Sequence, residues 1–269
     1  MAKPLRYLRL FTALARYGLA REFAFRMNFL VKVSVEVLWL GILLAFYQII
    51  FSKTSVVADW SQPEYLFFLG CYFALAGLVE ALFLVNCNQF SDLIRSGDLD
   101  VYLLQPIDEQ FLVSCREIDW GSVPNFLMGV GVMCLALYQM GWPIGPATVI
   151  AFSILFVCGI IIAYGFLLML TSAAVWFTRN QSLYELWWLV TSLMRYPREI
   201  FSRSWAAPVG TFFTYAVPIL LVINVPARIM VKTMEPAMVA FTLVVTVILL
   251  VASRQFFRYA LRRYRSASS

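Results

Sequence analysis

The sequence predicts an all-α membrane protein of six transmembrane helices, with an amphipathic interfacial helix at the N-terminus and a re-entrant segment before the last span. Three observations carry that expectation. Of the 269 residues, 62% are hydrophobic and only 13% are charged, whereas soluble domains run at about 45–50% and about 25%. The mean hydropathy is +0.79. Uncharged runs of span length recur along the chain, and the basic residues gather at its two ends.

This composition excludes several classes of function. A 30.7 kDa globule could not hide so much apolar surface, so a soluble enzyme, a disordered chain and a nucleic-acid-binding domain are set aside. The net charge of +6 reads as an orientation signal and not as a footprint for nucleic acid. There is no histidine, which removes Ser-His-Asp triads and His-ligated metal sites. Cys71, Cys87, Cys115, Cys134 and Cys158 form no C-x-x-C pair and read as packing residues. No G-x-x-x-x-G-K-[ST] loop occurs, so the chain is expected to hold no cofactor and no nucleotide of its own. No cleavable signal peptide is expected, because the N-terminal stretch is studded with arginine.

About 20 apolar residues cross a hydrocarbon core. The first span is placed at 29–51 and the second at 64–86, with Glu80 inside it. The longest uncharged run, Trp120–Thr178, has 59 residues. As one helix it would reach nearly ~90 Å, so it must fold back. Gly141-Trp142-Pro143-Ile144-Gly145-Pro146 is the turn, giving spans at 122–141 and 147–177. A fifth span at 183–195, rich in Leu and Trp, stops at Arg195-Tyr196-Pro197. The 196–235 segment carries Pro197, Pro218 and Pro226. Such broken backbone survives at membrane depth only when protein or water shields it, so it reads as re-entrant. The sixth span is 236–256.

Residues 1–28 carry six basic residues and the tail from Arg254 through Arg265 carries five, which is 11 of the 21 Lys and Arg. Both ends are therefore expected in the cytoplasm, which requires an even number of spans. The 87–119 loop then lies inside as well. It carries seven acids (Asp92, Asp98, Asp100, Asp108, Glu109, Glu117 and Asp119) against Arg95 and Arg116.

Four features are candidates for function. In the 1–28 segment, Arg6, Arg9 and Arg16 run beside a stripe of Leu5, Leu8, Phe11, Ala15 and Leu19, the pattern of a basic helix lying on lipid headgroups. In the loop, Gly97 can close one helix, Asp98 can cap the next, and Pro106 ends it. The short helix between them sets Leu99, Tyr102 and Leu103 on one side, shaped to dock into another protein's groove. Asp98 and Asp100 also form a D-x-D pair, which binds divalent metal in some membrane enzymes, but capping gives Asp98 a simpler role. Within the spans, Lys32 and Glu36 stand at i, i+4 and could pair. Glu80 reads either as a counter-charge for a cationic substrate or as a polar group near the membrane boundary. Tyr184, Trp187, Trp188 and Trp205 read as interfacial belt residues. Gly159 and Ala163 have the small-x-x-x-small spacing of close helix contacts.

The loop pattern Ile94-Arg95-x-Gly97-x-Leu99-Asp100-x-Tyr102-Leu103-Leu104-x-Pro106-Ile107 resembles the coupling helix of ABC-2 type transporter permeases, and the DUF990-like six-span branch in particular. The resemblance runs over nearly the whole chain. It includes the basic N-terminal helix, Tyr196-Pro197 with Ile200-Phe201, and the Val217-Pro218 and Pro226-Ala227 steps. It implies a permease subunit of an exporter, without ATPase activity of its own, in a bacterial-type inner membrane. It implies separate nucleotide-binding subunits that carry ATP and Mg, and a second permease, in a heterodimer or a homodimer. On this reading Asp98, Leu99, Asp100, Tyr102, Leu103, Leu104 and Pro106 couple to the ATPase. Glu36 and Glu80 are candidates for the substrate path, and Pro197, Pro218 and Pro226 shape the outer re-entrant segment, which puts Arg195, Arg198 and Arg203 outside. Two other classes remain beside it: a membrane-embedded lipid-processing enzyme and a non-transporting membrane scaffold.

Overall fold

The structure is a computed structural model that describes residues 3–141, 145–177, 181–202, 204–232 and 235–264. The expected turn residues Trp142, Pro143 and Ile144, and the basic residues Arg203 and Arg265, lie outside the described residues. Among the described residues, five helices are long and apolar enough to cross a membrane. A bent pair, Ala207–Ala216 and Pro218–Val231, meets at 82° and would make six if it counted as one span.

The chain begins with α1 (Lys3–Ala24), then breaks at Phe25 (φ −112°, ψ 52°) and continues as α2 (Arg26–Phe51). A hairpin follows, with β1 (Val56–Val57) paired antiparallel to β2 (Trp60–Ser61). Its two turn residues, Ala58 and Asp59, both have positive φ, as a type I′ turn requires. Next come α3 (Gln62–Val79), a π-helical turn over Glu80–Leu84, and α4 (Val85–Ser96), together one 35-residue helix. The expected 87–119 loop is thus helical as far as Ser96. Beyond it lie α5 (Leu99–Leu103) and α6 (Glu109–Cys115). Then come α7 (Val123–Met140) and α8 (Pro146–Ala173), each with a proline in its first turn, where the missing N–H costs nothing.

The expected fifth full span is shorter than a crossing. α9 (Gln181–Ser192) adds one 3-10 turn, Leu193–Arg195, and stops. These 15 residues rise only about 22 Å against a hydrocarbon core of about 30 Å. Pro197 ends the run, as the sequence predicts. Short 3-10 turns lead to α10 (Ala207–Thr211) and a π turn, and Pro218 starts the bend into α11 (Leu221–Val231). Finally α12 (Pro236–Arg263) buries Ser253, Phe257 and Ala260 towards its C-terminal end.

The packing centres on α3, which lies against α7, and on α8, which lies against α11 and α12. Lipid tails offer no hydrophobic gain for helix association, so close van der Waals approach must drive it. Glycine supplies that approach. A Cβ on Gly129 of α7 would lie 2.2 Å from the Ala74 nitrogen of α3. Gly159 faces the Val222 carbonyl of α11, which would stand 2.5 Å from its Cβ. Pro226 sits inside α11 and has no N–H to return to Val222, so this carbonyl is left for its neighbour. α2, by contrast, buries only Leu40 and Tyr47 and leaves most of its residues exposed.

Two ionic layers bracket the apolar body. On the far side, Glu199 accepts from Trp60 Nε1 (3.0 Å) and pairs with Arg228 (2.6 Å). Arg228 also reaches Glu235 (3.0 Å), and Lys232 lies 3.9 Å from Glu64. On the side of the termini, Lys32 pairs with Asp119 (3.1 Å) and Glu22 (3.4 Å), Arg21 with Glu117 (3.1 Å), and Arg254 with Asp108 (2.7 Å). From Glu64 to Glu80, α3 and the first π residue rise about 24 Å; α12 rises about 28 Å from Glu235 to Arg254. The second length matches the thickness of a bilayer core of about 30 Å. Glu199 before α10 and Arg228 on α11 both lie in the far layer, and the bend at Pro218 makes the pair a broken span or a re-entrant loop.

Candidate functional site

The short helix α5 sits on the side of the termini. Gly97 takes the left-handed conformation (φ 79°) that closes α4, as glycine alone does without strain. The expected side-chain cap by Asp98 does not form. Its carboxylate instead accepts the Ser96 hydroxyl at 2.8 Å, because its backbone has already turned helical (φ −63°, ψ −21°). Among the described residues, no group of three or more His, Cys, Asp and Glu side chains is placed to hold a metal.

The apolar face of α5 points the opposite way from the sequence expectation. Leu99 is 0% exposed and packs with Phe90, Val113, Leu168 and Phe257, and Leu103 lies against the same cluster. The Tyr102 hydroxyl accepts from Arg116 (3.1 Å), whose guanidinium also lies 5.2 Å over the Tyr102 ring. Arg116 bonds Gln89 as well. The cause is physical: an apolar i, i+3, i+4 triad buries itself on its own scaffold when one is near. What α5 offers outward is Val101 (62% exposed), Leu104 (86% exposed), Gln105 and Pro106. Asp100 is half-buried, and its charge, after desolvation, helps hold the neighbouring Tyr264 phenol above its ordinary value.

Sequence reasoning missed Asp108 as a junction. Its Oδ1 caps α6 by accepting from the Phe111 amide (3.3 Å), and its Oδ2 takes Arg254 of α12. Its own amide donates to the Tyr7 hydroxyl of α1 (3.0 Å). The signal was present, since Asp108 follows Pro106 and precedes a short apolar run, an N-cap position.

α1 lies along the same side. Trp120 Nε1 donates to the Ala15 carbonyl (3.0 Å), and the Ile118 carbonyl presses on Gly18. The Glu117 hydrogen bond raises the Arg21 guanidinium above its ordinary value. Of the expected lipid-facing stripe, Ala15 faces the protein; Leu5 and Leu8 stay exposed beside Arg6, Arg9 and Arg16.

Within the spans, the expected Lys32–Glu36 pair is replaced. Lys32 turns to Glu22 and Asp119, and Glu36 is left beside the side chain of Asn125. Asn125 also neighbours Glu80, so one amide stands beside carboxylates of two spans. Glu80 lies at the depth of the terminal-side ionic layer, where the Asp119 amide donates to the Ala81 carbonyl (2.9 Å). It borders a cleft of about 310 Å³ with Tyr72, Trp187, Trp188 and Thr191. Trp187 is not a belt residue: it is buried and stacks on Phe166. Trp205 is exposed, and the Tyr184 side chain lies outside the description.

Arg195 is the larger correction. It was expected outside with Arg198; Arg198 does lie in the far layer, 3.4 Å from Glu235. The Arg195 Nε instead donates to the Tyr72 hydroxyl (2.9 Å), and the guanidinium lies 5.5 Å from the Trp39 ring and 5.2 Å from the Tyr72 ring. The short length of α9 was the signal in the sequence: about 22 Å of helix cannot carry its last residue across.

Neither the comparison with curated proteins nor that with solved structures gives a match. A family model described as an ABC-2 family transporter protein matches residues 37–268. That range takes in α5, Glu80 and the bent α10–α11 segment. The chain therefore belongs to the ABC-2 family of transporters and is a membrane-spanning permease.

Proposed function

We propose that this permease is the membrane subunit of an ATP-driven exporter, coupled to a separate nucleotide-binding subunit through the outward end of α5. ATP and Mg belong to that subunit. The observation that carries the proposal is the two-sided character of α5. Leu99 anchors it in a cluster with α4, α6, α8 and α12, while Leu104 stands free on the surface. A push on Leu104 and Pro106 is thus passed as a rigid displacement into two spanning helices. The nucleotide-bound and nucleotide-free states must differ in contact energy at this surface, or no population shifts.

On the same reading the side of the termini is cytoplasmic, in a bacterial-type inner membrane. The exposed length of α2 is the surface for a second permease, a heterodimer following the family resemblance. The exposed arginines of α1 rest on lipid headgroups. The deciding experiment is Leu104→Glu in the purified complex. ATP hydrolysis should persist, while transport and its stimulation of hydrolysis fall about tenfold, the loss of a well-buried apolar contact. Unchanged coupling in a correctly assembled variant refutes the docking role.

A further inference from the structure

Arg195 sits halfway between the two ionic layers. Tyr72, its hydrogen-bond partner, lies about 12 Å along the helix from both Glu64 and Glu80. Trp39, on which its guanidinium stacks, lies about 10 Å from Lys32 and about 14 Å from Gln48; Gln48 bonds Gln62 at the far edge (2.7 Å). Two helices thus give the same depth. A charge at that depth is costly, and it faces protein or a water-filled path.

Its surroundings hold it in place without neutralising it. Tyr72 takes the Nε hydrogen, and two aromatic faces favour the cation through their quadrupoles. Among the described residues no carboxylate lies within 4.0 Å of it. Glu80 feels its charge but makes no ion pair with it. The two terminal amino groups have no hydrogen-bond acceptor among the described residues. Arg195 is only half-buried, on the side where Trp39 and Tyr196 are exposed. A guanidinium fixed at one nitrogen, with its fork open, is built for bidentate capture of a carboxylate or phosphate. Apolar surface above and below it suits an alkyl chain.

We propose that Arg195 is an anion-binding station of the translocation path, taking the carboxylate or phosphate of an amphiphile. This rests on the permease reading above, and names the substrate class of that path. The shared chemistry, an alkyl chain ending in an anion, also describes an anionic lipid.

The test is equilibrium binding of dodecyl phosphate to the chain in phosphatidylcholine nanodiscs, beside dodecyltrimethylammonium and dodecyl maltoside. This readout needs no ATPase, so a failure of the coupling proposal leaves it intact. The wild type should prefer the phosphate over the ammonium by about tenfold or more, with Arg195→Gln removing the preference and Arg195→Lys keeping most of it. Repeating the binding with phosphatidylglycerol in the disc separates the sources. Competition by the lipid identifies a lipid-like substrate, and no competition a soluble amphiphile; both sustain an anion station. Equal wild-type affinity for the phosphate and the ammonium overturns the proposal, even if Arg195→Gln does not fold. So does a preference that survives in Arg195→Gln.

Discussion

Arg254 on the last spanning helix reaches Asp108 at 2.7 Å, just past the exposed end of α5. This contact ties α12 to the segment that follows α5. Both groups are partly exposed, 42% and 29%, so screening reduces the pair to about 1 kcal/mol or less of stability. Arg254→Gln should therefore leave the melting temperature nearly unchanged and lower transport per ATP hydrolysed. The exchanged pair, Arg254→Asp with Asp108→Arg, should recover part of that coupling but lose the α6 cap. Measuring hydrolysis and transport together in vesicles checks this.

Leu99 and Leu104 are close in sequence and opposite in environment. Leu99→Ala removes a fully buried side chain from the α5 cluster and should cost about 2–4 kcal/mol. Leu104→Ala touches no core contact and should cost under about 0.5 kcal/mol. Thermal unfolding of the two variants in one detergent separates them. Equal losses would contradict the inward orientation of α5.

Gly129 and Gly131 provide a paired test of helix contact. A Cβ at 129 would collide with backbone atoms of α3, whereas one at 131 meets nothing within 4 Å. Gly129→Ala should destabilise by about 1–3 kcal/mol, the cost of overpacking. Gly131→Ala should be neutral or slightly stabilising, because alanine favours helix. A thermal-shift assay reads both.

Cys115 closes α6, and burial pushes its thiol up to about 11. The reactive species is the thiolate. At pH 7.5 its fraction is on the order of one in 3,000, rising about tenfold per pH unit until pH 10. Alkylation of a variant keeping only Cys115 should follow that slope. The sign for stability is the reverse. The raised value leaves its contribution complete below the ordinary thiol value of 9.0 and removes it as pH climbs towards about 11. Rapid labelling at neutral pH would place Cys115 in water.

Sequence alone determined what depends on composition and on local stereochemistry. The apolar share required a membrane, because no globule of this size could bury it. Gly97, Pro197 and Pro218 marked breaks that the backbone makes there, since a missing N–H or a left-handed φ acts within a residue or two. The loop pattern around Leu99–Pro106 named the family that the match over 37–268 supports.

Tertiary structure decided where side chains point and at what depth. The periodicity of α5 showed an apolar face; only Phe90, Leu168 and Phe257, from helices distant in sequence, decided that it turns inward. Lys32 had Glu36 one turn away, yet Asp119 and Glu22 won it, because the fold brings two carboxylates there. Arg195 looked like an outer charge from its neighbours in the chain. Its depth follows from Trp39 and Tyr72, which no local pattern connects to it. Periodicity is a property of one helix, whereas burial and charge pairing belong to whichever helices the fold sets beside it.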